Sequence, residues 1–401
     1  ADLSDTVESH ATYLTSLLSS GFAALKHLEQ LDRKDAAEDD RPEPSDEQAQ
    51  GKRHLLPGLG SEKAGKLLAA CVAEPSLLSA VYWVVCGHAL VGKALPAELQ
   101  VRTLEFVLSC QCQSGGFSPH PNHPAHILPT LSAVQLLILL GRHDMLEVGG
   151  PCRAEEIISY VRSLRLPDGS FRGRTAVASE GDCRFVYAAL CTLSLLSALA
   201  DPDGDSQVLD ETVAWLLRCQ NLDGGFGCRP DGECESHAGH TFCSLASLRL
   251  ADERSKLSLP PRNRSRLVRW LCDRQCGTAG GLNGRPGKAP DVCYTWWTLA
   301  SVELLRGSCG KASTETAADL VDELDMADFF ELSDLRGFIA KCMCSAGGVS
   351  AHPGDDPDPF HTFFGLAGLS LLDHADSSRT GAKPWLASIS PVVAIPVSYV
   401  P

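Results

Sequence analysis

An all-α fold, an α/α toroid of six helical hairpins with inner and outer helices around a central cavity, is what this sequence predicts, and repetition is the first observation that predicts it. Five segments share one form: Cys110 to Phe117 (CQCQSGGF), Leu166 to Phe171 (LPDGSF), Cys219 to Phe226 (CQNLDGGF), Gln275 to Leu282 (QCGTAGGL) and Cys342 to Val349 (CMCSAGGV). Their first glycines, at 115, 169, 224, 280 and 347, lie 54, 55, 56 and 67 residues apart. The second observation is that every glycine segment follows an amphipathic run and precedes a more apolar one. A helix apolar nearly all round belongs inside and one with a single apolar stripe belongs outside, so the unit reads as outer helix, glycine turn, inner helix. The short alternating strands of a β-propeller are not seen.

The elements follow in chain order. Residues 6 to 31 carry Tyr13, Leu14, Leu17, Leu18, Phe22, Leu25 and Leu28 at helical spacing. The acidic stretch after them has no large apolar residue to order it, which makes residues 32–54 a flexible insertion. Leu77 to Leu90 is an inner helix without a glycine signature. The outer runs are Val101 to Leu108, Ile157 to Leu164, Val213 to Leu217, Leu267 to Leu271 and Leu335 to Ile339, each expected to stop where a left-handed glycine caps it. The inner runs are His126 to Leu140, Arg184 to Leu196, His237 to Leu250, Cys293 to Leu305 and His361 to Leu372. The long last spacing coincides with an acidic insertion over Ala317 to Asp334. The expected division is an N-terminal helix (1–31), the insertion (32–54), a catalytic barrel (55–385) and a C-terminal tail (386–401).

With 35 Lys+Arg against 50 Asp+Glu, the formal charge of −15 argues against nucleic acid as a partner. No run approaches the roughly 20 apolar residues of a spanning helix, and the start lacks the basic and apolar regions of a signal peptide, so a cytoplasmic protein without a transmembrane segment is expected. Seventeen cysteines in so long a chain are expected to be mostly reduced thiols, with Cys86, Cys191 and Cys243 inside apolar helical patterns.

Polar residues at the starts of apolar helices stand out: His126, Arg184, His237, Asp291 with Cys293, and His361. In a closed ring of repeats, equivalent positions converge on one mouth of the cavity. Each alone reads equally well as a helix cap or a satisfied core residue. Asp291, Cys293 and His361 offer a carboxylate, a thiolate and an imidazole, a set suited to Zn²⁺ with its fourth position open for catalysis. Asp-x-Cys residues can reach one metal only where a helix begins. The pairs Cys110/Cys112, Cys272/Cys276 and Cys342/Cys344 are rivals without histidine partners. A second cluster, His237, Arg285, Lys288 and the Tyr294 phenol, suits a phosphate or diphosphate near helix N-termini. Tyr294, Trp296, Trp297, Phe360, Phe363 and Phe364 follow at once, so the ligand expected is amphiphilic, with an apolar body and an anionic head.

Across these residues the chain resembles the β-subunits of protein prenyltransferases, most closely that of Rab geranylgeranyltransferase (type II). The stretches that carry the resemblance are DGGFGCRP from Asp223, ESHAG from Glu235, GGLNGRPGKAPDVCYTWW from Gly280 and DPFHTFFGLAGLSLL from Asp358. The resemblance implies one Zn²⁺ per chain on Asp291, Cys293 and His361. It implies a lipid diphosphate held by His237, Arg285, Lys288 and Tyr294, and Arg184 and Trp297 at the upper lipid pocket. Ser79 and Leu131 would form the pocket floor where farnesyl-transferring relatives carry Trp and Tyr. It implies a heterodimer with a helical-repeat α-subunit, a Rab escort protein, Rab GTPase substrates, and transfer from geranylgeranyl diphosphate to C-terminal cysteines through a zinc-bound thiolate, with Tyr294 among the catalytic groups. A Mg²⁺ requirement stays open, because Ala351 stands where farnesyl-transferring relatives have an aspartate, with Asp355, Asp356 and Asp358 nearby. The acidic insertion at 32–50 is outside the family pattern. Alternatives are a type I geranylgeranyl- or farnesyltransferase β-subunit, and a non-enzymatic lipid-binding barrel, which zinc content would separate from the enzyme. A terpene cyclase of similar architecture needs an Asp-x-Asp-Asp motif, which this chain lacks.

Overall fold

The computed structural model describes residues 6–22, 76–175, 181–199, 207–251, 259–306, 325–381 and 383–401. The acidic insertion at 32–54, residues 23–31 of the expected first helix, and residues 317–324 of the Ala317 to Asp334 insertion lie outside the described residues. Helix α1 covers residues 7–22. The others are α2 (Leu77–Leu90), α3 (Ala97–Ser109), α4 (Ile127–Leu139), α5 (Ala154–Ser163), α6 (Cys183–Leu195), α7 (Gln207–Arg218), α8 (Ala238–Ala251), α9 (Pro261–Cys272), α10 (Cys293–Arg306), α11 (Leu332–Cys342) and α12 (Pro359–Thr380). The even-numbered helices pack each on its two even-numbered neighbours, and α12 returns to α2, so the inner ring closes. Among the described residues no helix is long and apolar enough to cross a membrane.

Sequence dictates the layers. Inner α4 is apolar along its whole length and buries Ile127 and every residue from Pro129 to Leu139. Outer α5 has a single stripe, Ala154, Ile157, Tyr160 and Val161, and turns Glu155 and Arg162 away from it. Two local bonds recur in the repeats. Within a hairpin, a threonine in the first turn of the inner helix accepts from the backbone N–H of the apolar residue after the glycines: Thr130 from Phe117 (2.9 Å), Thr241 from Phe226 (3.1 Å) and Thr362 from Val349 (2.9 Å). Between hairpins, the start of each of the first five inner helices donates to the loop of the next repeat: Leu78 to Pro119, Ile127 to Gly173, Cys183 to Cys228, Ala238 to Gly284 and Val292 to Ala351, at 2.9–3.1 Å. The second set places the inner N-termini side by side at one rim.

The glycines differ from expectation in one respect. They do have positive φ, but the outer helices end several residues earlier, and each glycine instead turns a short antiparallel bridge such as Gln111↔Phe117 or Gln220↔Phe226. The turn is pressed against the outer helix of the next repeat. At Gly347 (φ 93°) an added Cβ would lie 2.1 Å from the Ser9 carbonyl oxygen, so the last repeat closes on α1. Gly381 has a similar φ of 72° with no atom within 4 Å of such a Cβ. Gly381→Ala should therefore cost only the left-handed backbone term, about 1 kcal/mol, whereas Gly347→Ala adds a clash with backbone that cannot rotate away and should cost about 2–4 kcal/mol. Thermal midpoints of the two variants check this, and equal shifts would show that the seam between first and last repeats is loose.

Two further departures are local. Helix α12 runs past the expected end at Leu372 because Asp373 and Asp376 pair with Arg336 of α11, so ion pairs rather than an apolar stripe hold its last turns. The C-terminal segment 386–401 packs back into the ring, with Leu386, Ile389, Val393, Ala394 and Ile395 buried. Three successive carbonyls there accept bonds from three inner helices: Val392 from Tyr187 (3.0 Å), Val393 from Gln135 (2.8 Å) and Ala394 from Tyr82 (2.5 Å).

Candidate metal centre and lipid cavity

The capping reading holds for His126, His237 and Asp291, whereas Arg184 and His361 are themselves donors to the caps Asp182 and Asp358. His126 Nδ1 accepts from Leu128 N–H, Asp182 from Arg184, His237 Nδ1 from Gly239, Asp291 from Cys293, and Asp358 from His361. Capping satisfies one orphan donor and fixes each polar side chain beside the start of its inner helix.

Asp291, Cys293 and His361 are brought together, with one ligand atom of each within 4.8 Å of the others. Asp291 lies just ahead of α10 and Cys293 is its first residue, as Asp-x-Cys convergence requires. His361 Nε2 is 3.4 Å from Asp291 Oδ1, while its Nδ1 is 2.6 Å from Asp358 Oδ2. Burial disfavours the charged imidazole, but hydrogen bonds to Asp291 and Asp358 outweigh it and raise the His361 pKa to about 9. Burial opposes the Asp291 carboxylate too, and bonds from His361 and Cys293 overcome it and lower its pKa. Burial, then the Asp291 charge, push the Cys293 thiol far up. A cation among these three would relieve both the buried carboxylate and the raised thiol, and Asp358 fixes the His361 ring with Nε2 toward the gap. The donor set fits a metal such as zinc. Asp358, named from sequence only as a Mg²⁺ candidate, is thus occupied in orienting His361, and Asp355 pairs with His352 at 2.9 Å.

The cation cluster is arranged less tightly than its spacing suggests. His237 Nε2 is 3.2 Å from the Tyr294 phenol oxygen. Because Nδ1 accepts from Gly239 and because burial, then Arg285 and Arg184, lower the His237 pKa, the neutral ring carries its proton on Nε2 and donates it to the phenol. Burial, then Cys293 and Asp291, raise the Tyr294 pKa to about 12, so the phenol keeps a proton to donate into the mouth. Arg285 reaches Glu235 at 2.7 Å and Arg184 makes a two-pronged pair with Asp182. Lys288 is exposed at the end of the same loop. Glu235 and Asp182 were not picked out from sequence, although each is within two residues of a site residue.

Below the rim lies an apolar cavity of about 280 Å³ whose walls include Ser79, Leu131, Arg184 and Trp297, the four pocket residues expected. The six aromatics divide by helical phase: Trp297, Phe360 and Phe364 line it, Tyr294 belongs to the rim, and Trp296 and Phe363 are fully buried outside its walls. Trp83, unremarked inside the Leu77 to Leu90 run, adds a wall, its ring 5.0 Å from Phe360. Ala394 also lines the cavity, brought there from the far end of the chain. Ser79, Trp83 and Leu128 are shared with an adjoining cavity of about 480 Å³ that reaches His126 and Arg174.

The prenyltransferase α/α-toroid domain family matches residues 65–395. The geranylgeranyl transferase type-2 β-subunit of Saccharomyces cerevisiae is 38% identical over 329 residues, covering 82% of this chain and 88% of the yeast protein. The protein farnesyltransferase β-subunit of Schizosaccharomyces pombe is 32% identical over 303 residues, covering 75% and 72%. The structure of Candida albicans protein geranylgeranyltransferase-I complexed with GGPP superposes with a TM-score of 0.64 at 21% identity, over 85% of this chain and 93% of that one, which shows the shared fold. The chain therefore belongs to the prenyltransferase α/α-toroid family, as a β-subunit of a protein prenyltransferase, an enzyme.

Proposed function

We propose that this chain is the catalytic subunit of a type II protein geranylgeranyltransferase, which moves the geranylgeranyl group of geranylgeranyl diphosphate onto C-terminal cysteine thiols of Rab-type GTPases. The observation that carries the reading is the apolar cavity bounded by Arg184 and Phe360, with the Asp-Cys-His cluster and the His237–Tyr294 pair at its rim. An α-subunit and a Rab escort protein are the partners this reading requires. The type-2 β-subunits of two yeasts, at 38% and 36% identity, support type II over the farnesyl relative at 32%.

The reaction forms a C1–S bond and breaks C1–O, and the thiol proton leaves to solvent. The apolar walls hold the isoprenoid and keep C1 at the rim. As negative charge builds on the departing diphosphate, the Tyr294 O–H donates to it, and Arg285 and Lys288 offer cations that leave Glu235 or solvent for a better partner. Asp291, Cys293 and His361 would hold a zinc ion, whose charge lowers the pKa of a thiol in its open position.

Co-expression with an α-subunit, followed by transfer assays with a Rab acceptor, a Rab escort protein and labelled farnesyl or geranylgeranyl diphosphate, tests the assignment; transfer of neither lipid, or preferred transfer of farnesyl, to the escorted Rab refutes it. In the same preparation Arg285→Ala or Lys288→Ala should weaken diphosphate binding by about 1.5–3 kcal/mol, roughly ten- to a hundredfold. Geranylgeraniol, which lacks the diphosphate, should bind both variants as it binds wild type. Equal losses for alcohol and diphosphate would point to damaged folding.

A further inference from the structure

All fifteen described cysteines are free thiols, and one pair is set apart from the rest. Cys228 Sγ and Cys234 Sγ lie 3.1 Å apart on the loop between the Gln220↔Phe226 bridge and α8, both half-buried. Their neighbours are turned elsewhere: the Cys219 thiol points to the Trp215 carbonyl and the Cys183 thiol to that of His240. The loop is already bent for closure. Asp231 and Gly232 hold φ of 61° and 77°, Glu233 N–H bonds to Pro230 O, and Asp231 pairs with Arg218.

We propose that Cys228 and Cys234 are a reversible dithiol–disulfide site, a covalent clasp on the loop that sets two inner-helix starts. Closing 3.1 Å to the roughly 2.05 Å of an S–S bond asks for about 1 Å of side-chain movement. The backbone on either side is pinned in place, since Cys228 O accepts from Cys183 N–H at the start of α6 and Cys234 O accepts from Asn221 Nδ2 at 2.9 Å. The bridge would therefore join the anchor beside Asp182 and Arg184 to the residue next to Glu235, two before His237. The oxidant is a peroxide. Hydrogen peroxide oxidises one thiol to a sulfenic acid and releases water; the second thiol displaces hydroxide as a second water, and the pair has given up two electrons and two hydrogens. A thiol reductant restores both. Burial, then the contact with the Cys234 sulfur, raise the Cys228 pKa to about 11, so this thiol is protonated at neutral pH until it is engaged. The clasp depends on neither the metal nor the lipid reading.

The test uses the full chain purified with its α-subunit. After limited hydrogen peroxide, free thiols are blocked, the protein is reduced, and newly freed thiols take a second label. Cys228 and Cys234 should acquire that label together, with an intact mass lower by two hydrogens before reduction, and amide exchange over 229–235 should slow in the oxidised form and recover with reductant. Cys234→Ser should leave Cys228 in the first-labelled pool. If both sulfurs stay free, if they advance separately to sulfinic acid, or if Cys228 pairs with Cys219, the proposal is wrong.

Discussion

Cys293→Ala and His361→Ala should each lose the zinc that the proposed site would hold, and most of the transfer activity, while the barrel stays folded. Cys293 is buried, yet its removal takes away only one sulfur, a packing cost of about 1 kcal/mol. Its catalytic cost is far larger. An unassisted thiol is a few per cent thiolate at neutral pH, which accounts for roughly a thirtyfold loss, and the lost fixing of the acceptor beside C1 accounts for more. Transfer should fall about 10²–10³-fold, or roughly 3–4 kcal/mol in barrier. Geranylgeranyl diphosphate should still bind within about threefold of wild type, because the proposed function gives its head group to Arg285, Lys288 and Tyr294 rather than to the metal ligands. Asp358→Asn gives a graded result. It keeps the cap on α12 but weakens the bond that fixes His361, and should reduce zinc affinity roughly 10–100-fold. Metal analysis of the dialysed proteins decides the matter: full zinc in both alanine variants would remove these residues from the site.

The ring and its rim were legible because both follow from local patterning. A residue such as Trp297 or His361 betrays its layer through helical phase, and repetition at 54–56 residues puts equivalent positions at the same end. The caps at His126, His237 and Asp291 were legible as caps, whereas Asp182 and Asp358, which cap the helices of Arg184 and His361, were not. What the pattern does not carry is anything set by contact across the chain. The bond from Tyr82 to Ala394 joins residues 312 apart, and no periodicity links a helix to a tail that enters its cavity from the opposite end. The glycine turns looked like helix caps because helix end and bridge lie within a few residues; only the packed neighbour, Ser9 against Gly347, shows what excludes a side chain. The cation cluster was read without its carboxylate partners: Glu235 opens a quoted stretch and Asp182 lies two residues before Arg184, but which carboxylate reaches which cation is set by the folded loops and not by spacing.

Lipid length is where the far end of the cavity becomes measurable. Ser79 faces the cavity with its hydroxyl 3.0 Å from that of Ser132 on α4, and Leu131 and Ala394 line the same cavity. Twenty carbons exceed fifteen by one isoprene unit, whose burial contributes on the order of 3–4 kcal/mol at about 0.8 kcal/mol per carbon. Wild type should prefer geranylgeranyl diphosphate by a margin of that order if the floor is open. Ser79→Trp puts an indole into the space, and Ser132 is not stranded by it, since its hydroxyl also reaches the Leu128 carbonyl at 3.2 Å. The variant should lose about 10²–10³-fold in preference for the longer lipid while binding farnesyl diphosphate and zinc as before. Leu131→Tyr should deepen the effect. Ala394→Leu approaches the same space from the tail; leucine is the suitable choice because Ala394 holds a φ of 54°, which a β-branched side chain tolerates poorly. If Ser79 were only a small packing residue between α2 and α4, the indole would lower the thermal midpoint and leave the ratio of the two affinities alone. A folded Ser79→Trp protein that still chose the twenty-carbon lipid by the original margin would place the end of the isoprenoid somewhere other than this floor.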